Sequence, residues 1–292
     1  MKRILIIGAS GLLGSALYRV LMKKYDVTGT FFSNSDQTSA QEFLDVSDEA
    51  SIRILLMRLK PDFVINCSGL TNVEECERLP EKAMLLNSIV PAVLARITYQ
   101  LQIKLVHIST DHFASEINEM RNESMRALPT NRYGYSKLMG EDLVLSATDN
   151  ALVIRTNFFG LTNSGNHSLF DFALKSLKAD NSIPGFEDVF FSPIGVNTFA
   201  RTLLVLLEKN VNGLLNVCGT ESVSKFRFLR MTATAIGLEE SIVKPSNSSM
   251  QLGRVERPLL LTLDNSNLLG LVGELPPLEH MIHEELSFDS KR

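Results

Sequence analysis

Residues that staple, span or coat a protein are scarce in this chain. Its 292 residues include three cysteines, Cys67, Cys76 and Cys218. They are widely spaced, form no Cys-x-x-Cys pair and are odd in number, which argues against a disulfide framework. That usage fits a reducing, cytoplasmic location, with Cys67 and Cys218 as small buried residues on strands. No run approaches the ~20 apolar residues needed to cross a bilayer; the best, residues 203–207 and 89–95, are far shorter. Lys2 and Arg3 precede an apolar run, but it leads straight into a glycine turn and not a cleavage site, so no secretory signal is read there. Charge of either sign is not in excess, with 29 basic and 33 acidic residues and a net charge of −4. A nucleic-acid surface would need a basic stripe. Neither nucleic acid nor membrane is therefore expected as a partner, whereas a local cationic pocket for a phosphorylated small molecule is compatible with this balance. Internal repeats and low-complexity segments are also missing. Apolar residues are plentiful, at 45%, which suits a globular core and is too high for a disordered chain. At roughly 100–200 residues per domain, the length allows one large domain or two smaller ones.

The first half alternates strand and helix signals. Residues 3–7, 27–32, 63–66, 104–109 and 152–155 read as strands, and residues 11–22 and 131–146 as helices. A helix after Ser47, read as its N-cap, has Ile52, Leu55, Leu56 and Leu59 as its apolar face and Pro61 beyond its end. Residues 81–100 read as one long helix with a kink or break near Val90, because Pro91 lies inside it. Strands alternating with helices imply βαβ units, and near-continuous apolar strands imply a sheet buried on both faces. The expectation is an α/β, doubly wound parallel sheet of Rossmann, NAD(P)-binding type, with ligands beyond the carboxyl ends of its strands. The second half is less regular. Helices at 168–179, 197–209 and 224–237, a strand at 213–217 and a polar loop at 246–249 suggest a smaller C-terminal substrate-binding cap. The expected division is a cofactor domain of residues 1–157 with returning segments at about 187–218, and a cap from about 158–186 and 219–292.

Gly8-Ala9-Ser10-Gly11-Leu12-Leu13-Gly14 directly follows the first strand and opens an amphipathic helix. A first glycine permits the tight turn, a second lets a pyrophosphate approach the helix N-terminus, and a third allows close helix–sheet packing. The loop is read as a dinucleotide site. The end of the second strand, Thr30-Phe31-Phe32-Ser33-Asn34, has no acid before Asp36. NAD enzymes usually place an acid there for the ribose 2′-hydroxyl. Its absence removes a repulsion, and Thr30, Ser33 and Asn34 can donate hydrogen bonds, so NADP(H) is preferred with NAD(H) as the alternative. Asp45 and Val46 lie where the chain could pass the adenine edge; Asp45 reads equally as a plain turn residue.

Tyr133 and Lys137 stand four apart on a predicted helix and so share a face. Their setting is Tyr-Gly-x-Ser-Lys-x-x-Gly-Glu, with the glycine loop upstream and the pair Ser109-Thr110 at a strand end. In these motifs the chain resembles the extended short-chain dehydrogenase/reductase superfamily, and within it the dTDP-4-dehydrorhamnose reductase family. The resemblance continues through residues 61–67 and 72–77, Asn87, residues 108–111, Arg155-Thr156, Arg257-Pro258 and Leu263-Asp264. It implies that Tyr133 protonates the developing alkoxide, that Lys137 supports it and holds the nicotinamide ribose, and that Thr110 orients the substrate carbonyl. It also implies a mainly structural role for Asn87 and a cofactor-facing backbone at Cys67, Ser68 and Gly69. A tyrosine hydroxyl with a pKa near ~10 needs such help to work near neutrality.

The chain departs from the pattern after Thr110. The reductases usually continue Thr-Asp-Tyr-Val-Phe-Asp-Gly, whereas Thr110-Asp111-His112-Phe113-Ala114 stands here. His112 reads either as a pocket acid or as a hydrogen-bonded structural histidine. Asp111, His112, Asn157 and Arg257 are candidate substrate contacts, with Arg254 beside them. An arginine would suit a diphosphate, whose oxygens its fork matches. Some family members carry an acid just after the third glycine that helps hold magnesium between subunits; Ser15 occupies that position, so no metal is expected. The resemblance implies an NADPH-dependent reductase of the 4-keto group of a nucleotide-activated 6-deoxy sugar, acting in deoxysugar or polysaccharide biosynthesis, with a homodimer as the compatible assembly. Three other readings stay open. A 4-epimerase shares the Tyr/Lys machinery. A 4,6-dehydratase is disfavoured because its glutamate position holds His112. A regulatory subunit resembling the methionine adenosyltransferase beta subunit would bind NADP without turnover.

Overall fold

The structure, a computed structural model, describes residues 1–32, 41–114, 120–161, 168–179, 182–250 and 253–289. The expected contributions of Ser33 and Asn34 at the cofactor's ribose end lie outside these residues. In chain order the first half contains β1 (Arg3–Ile7), α1 (Leu12–Leu21), β2 (Asp26–Phe31), β3 (Gln41–Phe43), α2 (Glu49–Leu59), β4 (Phe63–Asn66), α3 (Val73–Arg78), α4 (Pro80–Met84), α5 (Val90–Gln100), β5 (Lys104–Ile108), α6 (Arg132–Ala147) and β6 (Ala151–Arg155). The second half adds β7 (Phe158–Phe159), α7 (Leu169–Lys178), β8 (Ile183–Phe186), β9 (Phe190–Phe191), β10 (Ile194–Gly195), α8 (Val196–Glu208), β11 (Gly213–Asn216), β12 (Val223–Ser224), α9 (Lys225–Ala235), β13 (Val243–Ser246), β14 (Leu260–Leu261), α10 (Ser266–Val272) and α11 (Leu278–Asp289).

Seven strands form one sheet in the order β11-β6-β5-β4-β1-β2-β3. Every pairing in it is parallel. This is the doubly wound α/β architecture that the alternating sequence pattern predicts. The two-residue period of a strand sorts its side chains onto two cores. Ile4 and Ile6 join Val106, Ile154 and the α1 and α8 side chains Leu17, Phe199 and Leu203. Leu5 and Ile7 join Val64, Leu105 and Val153 on the other face, under Ile52, Leu56, Leu94 and Val144 of α2, α5 and α6. Strand order reverses between β1 and β4, where Ile7 pairs with Asn66. The carboxyl ends of those two strands are the expected ligand crevice.

After β6 the chain builds a smaller layer and returns to the sheet through α8 and β11. The smaller layer carries β9 between β12 and β14, and β8 paired with β13. Its core is aromatic: Phe228 meets Phe159 at 5.1 Å, Phe191 at 5.4 Å and Phe170 at 6.2 Å between ring centroids. Full burial of each such ring contributes about 1.5–3 kcal/mol. Among the described residues no helix is long and apolar enough to cross a membrane.

Several local expectations are corrected. The break expected near Val90 is present, since α5 starts there with Pro91 in its first turn, but what precedes it is a π-helical turn over Leu85–Ile89 that buries Asn87. Asp48, not Ser47, caps α2 by accepting the Ala50 N–H at 3.0 Å, while Ser47 is drawn to the Asp45 carboxylate. Cys67 and Cys218 lie just beyond β4 and β11 and not on them, and Cys67 is only partly buried. The polar stretch 246–249 begins as the last residue of β13, and the Asp188 carboxylate then fixes Ser248 through its N–H and hydroxyl. The short edge strand β3 has no counterpart in the sequence reading.

Helix α6 approaches the π-helical turn so closely that only glycine fits between them. A Cβ on Gly140 would lie 2.1 Å from the Asn87 carbonyl oxygen. Gly140→Ala is therefore expected to lower stability by about 1–3 kcal/mol or to prevent folding. Gly270→Ala, at an exposed position of α10 with nothing within 4 Å, should gain about 0.5–1 kcal/mol from the better helix former. Denaturant unfolding of both variants measures the contrast.

Candidate active site

The glycine loop leaves β1 with Gly8 at φ +82°, a turn that L side chains rarely adopt. A Cβ on Gly14 would lie 2.2 Å from the Gly8 carbonyl oxygen, so α1 packs on the loop only because glycine stands there. Gly11 is the N-cap of α1, and neither a side-chain cap nor an acid occupies the first turn. The helix N-terminus therefore offers backbone N–H donors and a positive dipole end to an anion. Leu13 is buried in the core, so only its backbone faces such a ligand, while Ser10 and Leu12 are partly exposed. These features fit a dinucleotide pyrophosphate. Thr30 is placed differently from expectation: its hydroxyl is buried beneath the loop and accepts the Gly8 N–H at 3.3 Å, and its carbonyl accepts the Ala9 N–H at 2.9 Å. It supports the loop through both bonds. Asp45 closes a turn by accepting the Ser47 N–H and hydroxyl at 2.9 and 2.6 Å, and Val46 packs on the core beneath α2. The turn reading of Asp45 is the one the structure shows. Phe32 and Phe43, both well exposed, stack 6.0 Å apart at this end of the sheet.

The second wall of the crevice follows β4. Cys67 donates its N–H to the Ile7 carbonyl, and Ser68 donates both its N–H and hydroxyl to Asn66 Oδ1. Gly69 lies against Asn87, whose Oδ1 would be 2.8 Å from a Cβ there. Asn87 pins this loop to α6: it accepts the Leu70 N–H at 2.8 Å and donates to the Leu70 carbonyl and to Ser136 Oγ. The π-helical turn is what presents this amide inward.

Helix α6 begins at the Asn131 cap, whose Oδ1 accepts the Gly134 N–H. Its buried face carries Tyr133 and Lys137, 9% and 5% exposed. Tyr133 lies beside Thr110, itself 5% exposed, just beyond β5, close enough for that hydroxyl to favour the phenolate. Lys137 Nζ donates to the Ile108 carbonyl at 2.6 Å. Thr110, Tyr133 and Lys137 thus converge at the carboxyl end of β5, with Lys137 anchored to the strand. Burial raises the Tyr133 phenol above its usual range, against the opposing Thr110 hydroxyl, so the group is a neutral acid at pH 7. Burial pulls the Lys137 ammonium down to about 8, opposed by Glu141. Burial also pushes the nearby Cys67 thiol up to about 12, which leaves it unreactive.

The candidate substrate residues divide. Asn157 donates to the Asp111 carboxylate at 2.6 Å, and burial raises that carboxyl to about 6. His112 is held by its neighbours: its Nε2 accepts from Asn131 Nδ2 at 3.0 Å, and its ring meets Tyr133 edge-on at 5.3 Å. Burial and the Arg257 and Lys225 charges lower its pKa to about 4. His112 is thus a hydrogen-bonded structural histidine and not a pocket acid. Arg257 forms an ion pair with Glu74 at 2.6 Å on the rim, within electrostatic reach of His112. Lys225 escapes the sequence reading. It faces Asp111, Arg254 and Arg257, and burial lowers its pKa. It opens α9, where the helix dipole disfavours a cation, and that misfit is the signal that could have found it.

The sequence model of the RmlD substrate binding domain family matches residues 1–286. The chain is 30% identical over 272 residues to the dTDP-4-dehydrorhamnose reductase of Mycolicibacterium smegmatis, covering 90% of this chain and 78% of that protein. It is 29% identical over 300 residues to methionine adenosyltransferase 2 subunit beta of Xenopus laevis, covering 98% and 87%. The crystal structure of the dTDP-4-dehydrorhamnose reductase of Bacillus anthracis in complex with NADP superposes with a TM-score of 0.88 at 25% identity, covering 99% of this chain and 100% of that one.

The environment of His112 has a measurable signature. Its folded value of about 4 lies below the ordinary histidine value of 6.5, so between these two the unfolded chain binds more protons. The stability held by His112 is present above pH 6.5 and is lost as pH falls through that window. The imidazole shifts of His112 in NMR should stay neutral through pH 6.5 and change only near 4; a midpoint near 6.5 contradicts the buried, bonded placement.

Proposed function

The chain belongs to the RmlD substrate binding domain family, and on that premise we propose that it reduces the 4-keto group of a nucleotide-activated 6-deoxy sugar with NADPH. The convergence of Thr110, Tyr133 and Lys137 at the carboxyl end of β5, in the same sheet whose β1 leads to the uncapped N-terminus of α1, carries this reading. NADPH, when bound, supplies the hydride that adds to the ketone carbon. Gly8, Gly11 and Gly14 shape the loop that holds its pyrophosphate, with the backbone of Ser10, Leu12 and Leu13 along it. Cys67, Ser68 and Gly69 form the facing wall. Lys137 has three donors, of which the Ile108 carbonyl takes one; the others are available to ribose hydroxyls.

Thr110 Oγ1 accepts the His112 N–H at 3.2 Å, so its own proton points away from that bond. The ketone oxygen takes a place between Thr110 and Tyr133 and accepts from both hydroxyls. Tyr133 donates its phenolic proton as negative charge develops there, giving the alcohol and a phenolate that the nearby Lys137 ammonium stabilises. A neutral phenol at pH 7 is the protonation state that reduction requires. Lys225, Arg254 and Arg257 supply the positive charge for the diphosphate, and Asp111 with Asn157 lies on the sugar side of Thr110. The dTDP-4-dehydrorhamnose reductase relatives and the NADP complex support this reading. The likeness to methionine adenosyltransferase 2 subunit beta supports a second one, in which the chain binds NADP as a regulatory subunit.

A panel of 4-keto-6-deoxy sugar nucleotides, assayed by NADPH oxidation, separates the two. The reductase reading expects turnover, with Tyr133→Phe lowering kcat by about 10²–10⁴-fold while NADPH affinity holds. Tight NADPH binding without oxidation across the panel favours the regulatory reading. Lys225→Met should raise KM for the sugar nucleotide by about 10–100-fold, the value of a charged hydrogen bond, and leave the NADPH Kd unchanged. Because Lys137 loses its proton near 8, kcat/KM should fall as pH rises through that value.

A further inference from the structure

A third contact joins α6 to the end of β5, one turn beyond Lys137. Glu141 is 1% exposed on the same helix face. Its Oε1 accepts the Ser109 hydroxyl at 2.5 Å. Its two oxygens accept Arg155 Nε and a terminal guanidinium nitrogen at 2.7–3.1 Å. Ser109 precedes Thr110 and is tied to β6 through its N–H and the Ile154 carbonyl at 2.7 Å. The Arg155 guanidinium lies 5.1 Å over the Phe113 ring and Arg121 lies 5.8 Å over it. Arg121 in turn donates to the carbonyls of Asp111 and Phe113. A buried chain of charge therefore wraps the backbone on which Thr110 stands.

Stability alone does not account for such a pair, because exchanging a buried ion pair for uncharged residues of similar size is often neutral. Its neighbours suggest another role. The titratable groups within electrostatic reach of Lys137 are Glu141 from α6, Cys67 from the loop after β4, Cys76 from α3 and His107 from β5, while Tyr133 precedes it by one turn on the same helix. Burial holds both thiols protonated, Cys67 up to about 12 and Cys76 up to about 11, and holds His107 well below its usual value. Tyr133 is neutral for the same reason. Glu141 is thus the carboxylate among the groups that face the ammonium.

We propose that Glu141, fixed by Arg155 and Ser109, is a positioning residue that keeps the Lys137 ammonium charged and holds the strand end bearing Thr110 in register with Tyr133. Its value for catalysis rests on the reductase reading; its effect on Lys137 does not. The test is the NMR titration of the protein labelled with 13C at the lysine ε-carbons, with the Lys137 signal assigned by its loss in Lys137→Arg. Glu141→Gln should lower the Lys137 midpoint by about one unit or more. Because that variant leaves Arg155 buried without its partner, the double variant Glu141→Gln/Arg155→Met is measured beside it, and the fall should persist. Ser109→Ala, which leaves the charges in place, should keep the midpoint and lower kcat with the NADPH Kd unchanged. A Lys137 midpoint equal to wild type in a folded Glu141 variant overturns the proposal. A lowered midpoint in a protein that turns over no sugar nucleotide supports the electrostatic role and overturns the reductase reading alone.

Discussion

Tyr133, Lys137 and Glu141 stand one turn apart on one face of α6, and each reaches the end of β5. Tyr133 meets Thr110, Lys137 meets the Ile108 carbonyl and Glu141 meets the Ser109 hydroxyl. The helix can lie that close only because Gly140 lets its backbone pass the Asn87 carbonyl. Asn87 then ties the same helix to the loop after β4, and that loop touches the glycine turn after β1. One close approach therefore sets the distances among the acid, the lysine and both walls of the cofactor crevice. The rest of the fold supplies the sheet that makes these strand ends neighbours.

Burial does most of the electrostatic work at this site. It keeps the Tyr133 phenol protonated, brings the Lys137 ammonium toward neutral pH and renders both nearby thiols inert. His112 follows the same rule: once bonded to Asn131 and removed from water, it is neutral. Lys225, Arg254 and Arg257, which cluster electrostatically near Asp111, come from the second half of the chain. On the proposed reading, reduction chemistry and anion recognition fall to different segments that come together near Asp111.

The elements that read well from the sequence are those whose signal is local. β4, β5 and β6 are buried along their whole length and appear as near-continuous apolar runs, with Asn66, Lys104, His107 and Arg155 as their polar members. The glycine loop and the Tyr133/Lys137 spacing carry their geometry in a few adjacent residues. Elsewhere the deciding partners are distant. β3 is three residues long and forms because β2 offers an edge. Pro91 marks the break near Val90, but nothing local announces that the turn before it is π-helical and faces Gly140. Thr30 supports the glycine loop because the parallel neighbour of β1 places it there, which spacing alone does not reveal. The Glu141–Arg155 pair joins residues on different elements, and Lys225 comes within electrostatic reach of Asp111 from the second half of the chain.

The account's central claim is that a ketone oxygen is held jointly by Thr110 and Tyr133. A crystal structure of the ternary complex with NADP and a 4-keto-6-deoxy sugar nucleotide, or its alcohol product, tests it most directly. The account predicts the C4 oxygen within hydrogen-bond distance of both hydroxyls, the diphosphate among Lys225, Arg254 and Arg257, and Lys137 still bonded to the Ile108 carbonyl. A sugar bound elsewhere, with its C4 oxygen beyond hydrogen-bond distance of both hydroxyls, would contradict it.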